Sequence, residues 1–442
     1  MPLWTGRRAA WLLIVLLVPA ETSAASLLHF FEAAVDGNPR FKSKQLAVDQ
    51  AEAEKDIARS RLLPQLRADG SYDWNHYMPE GFPDERYTGI RASLAARQPL
   101  LDFASYRRFR GAQSVVQQSE HELEAAELEL SAEVVDRYLA VLQADDELLY
   151  LKSEQAAIDR QLERLRRMTQ RKLAKITDLY EVEAYAQALV TRDIEVRNAQ
   201  AIARERLRET TGMEVESVQP LALRSLPAVT GSEEQWVREA ITDNPYLQSL
   251  LRATEAARWI VQSGQAEHLP RISLTASRIH TDQGYDNRQV PEYGVGTVGV
   301  AISMPIFEGG RVDATVREAT ARYRISLQNW EAARREIERS VRTAYLDAVA
   351  SHARIRSSNE ETRALEKVLE AQTTSYEYRI TTILDVLVAQ RRLTKARSEE
   401  SKARYDYLRD LTILKGYAGQ STRQHVEEID AWFDPVSQSL GD

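Results

Sequence analysis

The chain has 442 residues, with 58 Lys and Arg against 66 Asp and Glu, a formal charge of −8, 18 Gly, 14 Pro and no cysteine. That excludes disulfides, thiolate metal sites and a lipidated N-terminal cysteine, and the acidic balance argues against nucleic acid, which wants a basic face. Scarce Gly and Pro with abundant Ala, Leu, Arg and Glu point to long helices.

The chain opens on Arg7-Arg8, an apolar stretch from Ala9 to Val18, Pro19, and the small residues Thr22-Ser23-Ala24-Ala25. This reads as a secretory leader, residues 1–24, cut after Ala24 or Ala25, because about ten apolar residues cannot span a bilayer as a helix. Removing Arg7, Arg8 and Glu21 takes the formal charge to about −9. No later run approaches the ~20 apolar residues of a transmembrane helix.

The remainder is stated twice. Asn38-Pro39 recurs as Asn244-Pro245, Leu63-Pro64 as Leu269-Pro270 and Pro99 as Pro305, each 206 residues on. Tyr138-Leu139 then recurs as Tyr345-Leu346, Asp178 as Asp385, Leu207 as Leu414 and Gly212 as Gly419, each 207 residues on. So steady an offset marks a duplicated unit. The expected division is a first repeat over 25–213, a linker over 214–233, a second repeat over 234–419 and a tail over 420–442.

Each unit is predicted to run helix, strand, strand, very long helix, helix. The first helix spans 27–63 and stops at Pro64, which cannot continue it. The period then changes to two, with strands predicted near 65–77 and 86–98 and a Pro/Gly-rich tip between them. Pro99 is expected to end the second. The other unit repeats this with strands near 271–281 and 292–304, ending at Pro305. Strands of this length suit a tilted membrane crossing, for which ~9–11 residues suffice. A lone hairpin would be marginal in water, and four strands cannot close a barrel, so an oligomer is implied.

The long helices are expected near 105–168 and 312–378, the first about 96 Å long at 1.5 Å per residue. Flanking helices near 27–63, 179–211, 234–268 and 385–418 are about half that, so two laid end to end match one long one. Leu128, Val135, Leu142 and Leu149 form one seven-residue series, and Ala144, Leu151, Ile158 and Leu165 another. Two stripes on one helix mean knobs-into-holes neighbours on both sides, which favours a ring of helices over a two-stranded coiled coil.

Catalytic and cofactor chemistry finds no foothold. Gly294-Val295-Gly296-Thr297-Val298-Gly299 matches a dinucleotide fingerprint in letters, but it sits inside an alternating strand rather than opening a helix. The histidines at 29, 76, 121, 268, 280, 352 and 425 lack metal-ligand spacing, and no serine sits in a nucleophile elbow. The expectation is therefore no enzymatic activity, no cofactor and no metal. Two segments stand apart where each long helix turns back: Ala174-Lys175-Ile176-Thr177-Asp178-Leu179 and Thr381-Thr382-Ile383-Leu384-Asp385-Val386. Thr177 and Thr382 read as helix N-caps. At the narrow end of a tapering helical cylinder, acidic residues from several subunits would also form a cation-favouring ring.

Taken together, these landmarks resemble the TolC family of outer-membrane efflux and secretion proteins over nearly all of the mature chain. The residues carrying the resemblance are the duplicated Asn-Pro and Leu-Pro pairs, Pro305-Ile306-Phe307-Glu308-Gly309-Gly310-Arg311, the run from Thr382 to Gln390, and Ala403-Arg404-Tyr405-Asp406-Tyr407-Leu408. The resemblance implies a mainly α fold with a transmembrane β-barrel. In it a homotrimer supplies four strands per chain to a twelve-stranded barrel, continued by a periplasmic α-helical tunnel. It implies a passive export conduit in the outer membrane of a Gram-negative bacterium, bedded in outer-membrane lipid. Its partners would be a periplasmic adaptor and an inner-membrane pump or ABC exporter, as in tripartite efflux or type I secretion.

Carried over singly, Asp385 falls on an aspartate lining the periplasmic entrance, Thr177 and Asp178 on the facing turn, and Tyr376 on a tyrosine of the latch. Three positions depart from the family pattern. A second entrance aspartate is Val388 here, a latch arginine is Thr381, and a turn glycine is Lys172 in one unit and Arg379 in the other. Lys172 or Arg379 is the candidate replacement for the missing cation. The competing reading is a periplasmic coiled-coil adaptor that never enters the membrane. Alternating Tyr72, Trp74, Ile90 and Leu94 speak against it. The tail from Gln420 to Asp442, with Trp432-Phe433, either packs on the helices or frays.

Overall fold

The computed structural model describes residues 25–78, 80–81, 83–222, 226–284, 287–420 and 423–433; the expected leader lies outside them. The first half holds α1 (Leu27–Gly37), α2 (Pro39–Ser60), β1 (Gln65–Tyr77), β2 (Glu85–Leu101), α3 (Phe103–Gln170) and α4 (Ile176–Thr211). The second holds α5 (Glu233–Asp243), α6 (Pro245–Ala266), β3 (Arg271–Gln283), β4 (Gln289–Ser303), α7 (Arg311–Glu377) and α8 (Ile383–Tyr417), and α9 (Arg423–Asp430) closes the chain.

The single helices expected at 27–63 and 234–268 are each two. A residue before proline is pushed out of the helical region, and Asn38 and Asn244 sit at ψ 119° and 117°. Each asparagine then works twice. Asn38 Oδ1 accepts from Arg40 N and Phe41 N at 2.9 and 3.2 Å, capping α2, while its Nδ2 donates to Thr210 O at 3.0 Å near the end of α4. Asn244 does the same, accepting from Leu247 N at 3.1 Å and donating to Tyr417 O at 2.9 Å. The Asn-Pro landmarks are therefore joints that stack α2 on the end of α4 and α6 on the end of α8. Gly419 serves the second joint: it sits at φ 73°, and a Cβ there would lie 2.6 Å from Asp243 O.

The stacked columns match the long helices. α2 and α4, with 22 and 36 residues, span about 33 and 54 Å, against about 100 Å for the 68 residues of α3. α3 lies between the α2–α4 and α6–α8 columns, and α7 packs on the far side of α6–α8. The layer has two open edges, α2–α4 and α7. Its lower core pairs seven-residue series from facing helices: Leu151, Ile158 and Leu165 on α3 meet Val182, Leu189 and Val196 on α4. The other expected series is interrupted, since Leu128, Val135 and Leu142 are buried but Leu149 is 61% exposed.

A second core forms a collar at mid-height. Phe30 and Phe31 of α1, Tyr138 and Leu139 of α3, Tyr407 and Leu408 of α8, and Val426, Ile429 and Phe433 of the tail are all buried together. The Tyr138 hydroxyl donates to Gln219 O at 3.1 Å and accepts from Gln219 N at 2.9 Å, tying the linker to α3. Up to Phe433, then, the tail packs rather than frays.

The expected barrel is corrected by the sheet. The four strands form one antiparallel sheet in the order β1-β2-β3-β4, and within the described residues it does not close on itself. Four strands subtend too little arc for the first to reach the last, whereas about eight close around an interior that side chains just fill. The expectation for Pro99 also fails, because β2 runs on to Leu101 with a register shift at Pro99/Leu101. A shift of this kind lets a strand carry a residue that donates no ladder hydrogen bond.

Candidate functional site: the turns at the far end of the long helices

The end of the helical layer away from the sheet is made by two turns, Arg171–Lys175 between α3 and α4 and Tyr378–Thr382 between α7 and α8. Both long helices stop in the same way. Leu173 N donates to Met168 O at 2.8 Å and Ile380 N to Ser375 O at 2.9 Å, the six-to-one bond that accompanies a left-handed C-terminal residue. The left-handed residues are Lys172, φ 58°, and Arg379, φ 59°. A Cβ in this conformation costs on the order of 1 kcal/mol, so glycine is the usual occupant. Both units hold a cation at a strained position instead, and neither cation is ion-paired among the described residues.

The starts of the returning helices differ. Thr382 caps α8: its N–H donates to Asp385 Oδ2 at 2.9 Å, its hydroxyl donates to the same oxygen at 2.6 Å, and Asp385 N donates back to Thr382 Oγ1 at 3.4 Å. These bonds hold the Asp385 carboxyl below its ordinary value, first through the Thr382 hydroxyl and then through its backbone N–H. Thr177 is not a cap. Helix α4 starts at Ile176 behind Lys175, which makes no side-chain cap. At the 207-residue offset the counterpart of Thr382 is Lys175, so the two threonines are not equivalent positions.

Asp178, in the first turn of α4, meets Tyr376 near the end of α7. Burial pushes the Tyr376 hydroxyl up, and the Asp178 charge and hydrogen bond add to it against the opposing Arg164. Arg164 Nη1 bonds Glu377 Oε1 at 3.1 Å, a second clasp between α3 and α7. The two turns enclose a cavity of about 390 Å³, whose lining includes Lys172, Lys175, Asp178, Tyr376, Arg379 and Thr382. The structure thus gathers Lys172, Asp178, Tyr376 and Arg379 around one polar space. Thr177 is exposed, and Asp385 stands on the exposed first turn of α8, bonded to Thr382. Sequence reasoning missed the Arg164–Glu377 clasp, whose partners are 213 residues apart and share no spacing signal. It also missed buried Glu154, 4% exposed, which accepts from the Tyr185 hydroxyl at 2.5 Å.

The sheet at the opposite end has inverted polarity. Residues paired across a ladder share a face, so the register puts Leu66, Tyr72, Trp74, Ile90, Leu94, Val298, Val300 and Ile302 on one face. All of these are exposed, Val298 by 77%. The other face carries Arg67, Asp69, Ser71, Arg91, Arg97, Ser273, Thr275 and Thr281, and Ser273, Thr281 and Gln283 on it are buried. Apolar outside and polar inside is the pattern of strands that meet lipid on one side and water on the other. Among the described residues no helix is long and apolar enough to cross a membrane.

The family model for outer membrane efflux proteins matches residues 31–213 and 236–420. The alkaline protease secretion protein AprF of Pseudomonas aeruginosa is 29% identical over 443 residues, covering 97% of this chain and 92% of AprF. The outer membrane protein TolC of Vibrio cholerae is 27% identical, covering 92% of this chain and 94% of TolC. The crystal structure of the CmeC outer membrane channel of Campylobacter jejuni superposes with a TM-score of 0.79 at 16% identity, covering 99% of both chains.

Proposed function

This chain belongs to the outer membrane efflux protein family, and from that premise we propose that it works as a homotrimer whose helical wall is completed by neighbouring copies. It is an outer-membrane conduit of the TolC type, used in efflux or type I secretion, with a large periplasmic helical region and no catalytic role. Family membership brings an adaptor and an inner-membrane pump as the usual partners; an ABC exporter in particular is part of the proposal. The observation that carries the reading is the inverted sheet on a helical layer about 100 Å long. The trimer is supported by the two open edges of that layer. α2 exposes Leu46 and Ile57, α4 exposes Val190 and Ile194, and α7 exposes Ile325, Leu346 and Val349. Faces this apolar are the kind that subunit contacts cover.

Gentle detergent extraction of the outer membrane tests this. A trimer in that fraction, separating into monomers on heating, is the expected result. A monomer or dimer in the soluble periplasm would overturn it and restore the coiled-coil adaptor.

The turns at the far end are proposed as the periplasmic entrance, with Thr177, Asp178, Tyr376 and Asp385 at its constriction. Lys172 and Arg379 are the proposed latch cations: an unpaired charge kept in a strained conformation is a reason to look for function there. Asp385→Ala is expected to raise single-channel conductance, or to weaken block by divalent cations, in planar bilayers. If both stay at the wild-type level, Asp385 is a helix cap and not part of the gate.

A further inference from the structure

We infer that the polar face of the sheet is an anion-attracting stretch of the conduit, set by Arg91, Arg97 and Arg271; this rests on the conduit reading above. The ladder pairs Ser71 with Arg91, Gln65 with Arg97, and Arg97 with Thr275, and Arg271 lies four residues from Thr275 on β3. All three arginines are therefore on the polar face, and all three are exposed. Along the strands, Arg97 is about 20 Å from the level of Arg91 and about 13 Å from that of Arg271. They form a line of positive charge along the sheet.

Of the neighbouring charges on this face, Asp69 and Arg67 offset each other, while Asp73 is bonded by neutral groups and keeps its charge. Asp69 is held by Arg67 at 2.8 Å, and Asp73 accepts from Ser71 at 3.0 Å and Gln283 at 3.2 Å. Glu85 lies at the tip, opposite Tyr77. Where the sheet joins the helices, Arg108 and Arg311 share Glu267 at 2.5 and 3.1 Å, and Arg107 donates to Gln262 O at 2.7 Å. Arg91, Arg97 and Arg271 have no carboxylate partner among the described residues. A guanidinium cannot lose its proton at any working pH, so this charge is permanent. Lining arginines favour anions in a pore, and low-dielectric walls strengthen their field. The cargo class this stretch favours is solutes bearing carboxylate or phosphate groups. The acids proposed at the entrance, Asp178 and Asp385, have the opposite sign, so selectivity would change along the path.

Planar bilayers holding the purified full chain, with a potassium chloride gradient near 0.1 M to limit screening, give the test. The triple variant Arg91→Ser, Arg97→Ser, Arg271→Ser is expected to shift the reversal potential toward potassium, with a several-fold fall in the chloride-to-potassium permeability ratio. Asp69→Asn frees Arg67 and is expected to move the ratio the other way. A conducting triple variant with the wild-type ratio overturns the inference and leaves the conduit standing. If the triple variant does not insert, an unchanged ratio in Asp69→Asn overturns it. A wild-type protein that conducts nothing counts against the conduit reading itself.

Discussion

Replacing Phe433 with alanine is expected to destabilise the folded chain by about 3–5 kcal/mol, the range for emptying a buried aromatic site. Phe433 is fully buried, and its ring stands edge-on to Tyr138 at 5.3 Å and 66°. Tyr138 in turn stands edge-on to Phe30 at 5.9 Å, so one ring of the tail closes a stack reaching back to α1. The tail is tied in at other points as well. Ala222 N donates to Trp432 O at 2.9 Å, and Leu28 N donates to Asp430 Oδ1 at 3.1 Å. Losing Phe433 therefore opens a void between elements that other contacts hold apart, where collapse is hardest. Urea denaturation of the detergent-solubilised protein, followed by helix circular dichroism, measures the cost. A loss under about 1 kcal/mol would show that the collar repacks without the ring and that the tail is not a structural strut.

Stability is expected to fall by roughly 2 kcal/mol as pH drops from the ordinary histidine value of 6.5 to about 5, through His425 on α9. The imidazole is 2% exposed, and its Nε2 has no hydrogen-bond partner among the described residues. Lys415 Nζ lies 3.0 Å from Nδ1 and donates to it. Burial first, and then the Lys415 charge, push the imidazole down to about 4 against the opposing pull of Glu428. Arg423 on the same helix is engaged by Glu427 at 2.9 Å and by Glu32 on α1 at 2.5 Å, and Asp430 by Leu28. The folded chain thus keeps His425 neutral where the unfolded chain would protonate it. The stabilising effect is complete above the unfolded value and is lost as pH falls toward the folded one. Keeping the titration above about pH 5 separates this from Glu428, whose carboxyl is held low by Lys415. In His425→Gln the slope between pH 5 and 7 should flatten. If variant and wild type keep parallel profiles, His425 is not the titrating group.

The two predictions share a region about which the sequence said little. Trp432-Phe433 is an isolated apolar pair after a polar stretch, and nothing local distinguishes a docked tail from a loose one. Its burial is decided by rings contributed from α1 and α3, hundreds of residues away. The asparagine joints show the same division. Asn38-Pro39 and Asn244-Pro245 are visible as a repeat, and the proline alone predicts a break. The second use of each asparagine, a bond to a carbonyl 172 or 173 residues further along, exists only after the columns have stacked. Thr177 and Thr382 look alike in the sequence, yet only Thr382 caps, because the turn geometry sets which residue stands one place before the helix.

The sequence by itself determined the duplicated order of elements, the long uninterrupted helices, the period-two strands with their apolar and polar faces, and the absence of a catalytic constellation. Those properties reside in composition, periodicity and the placement of proline, all of which act within a few residues. Only the tertiary structure decided that the two hairpins join into one sheet through β2 and β3, that the half-length helices join at asparagines, that Lys172 and Arg379 carry left-handed strain, and that the tail closes the collar. Each depends on groups far apart in the chain meeting at bonding distance, and the free energy of such meetings belongs to the assembled fold rather than to any segment of it.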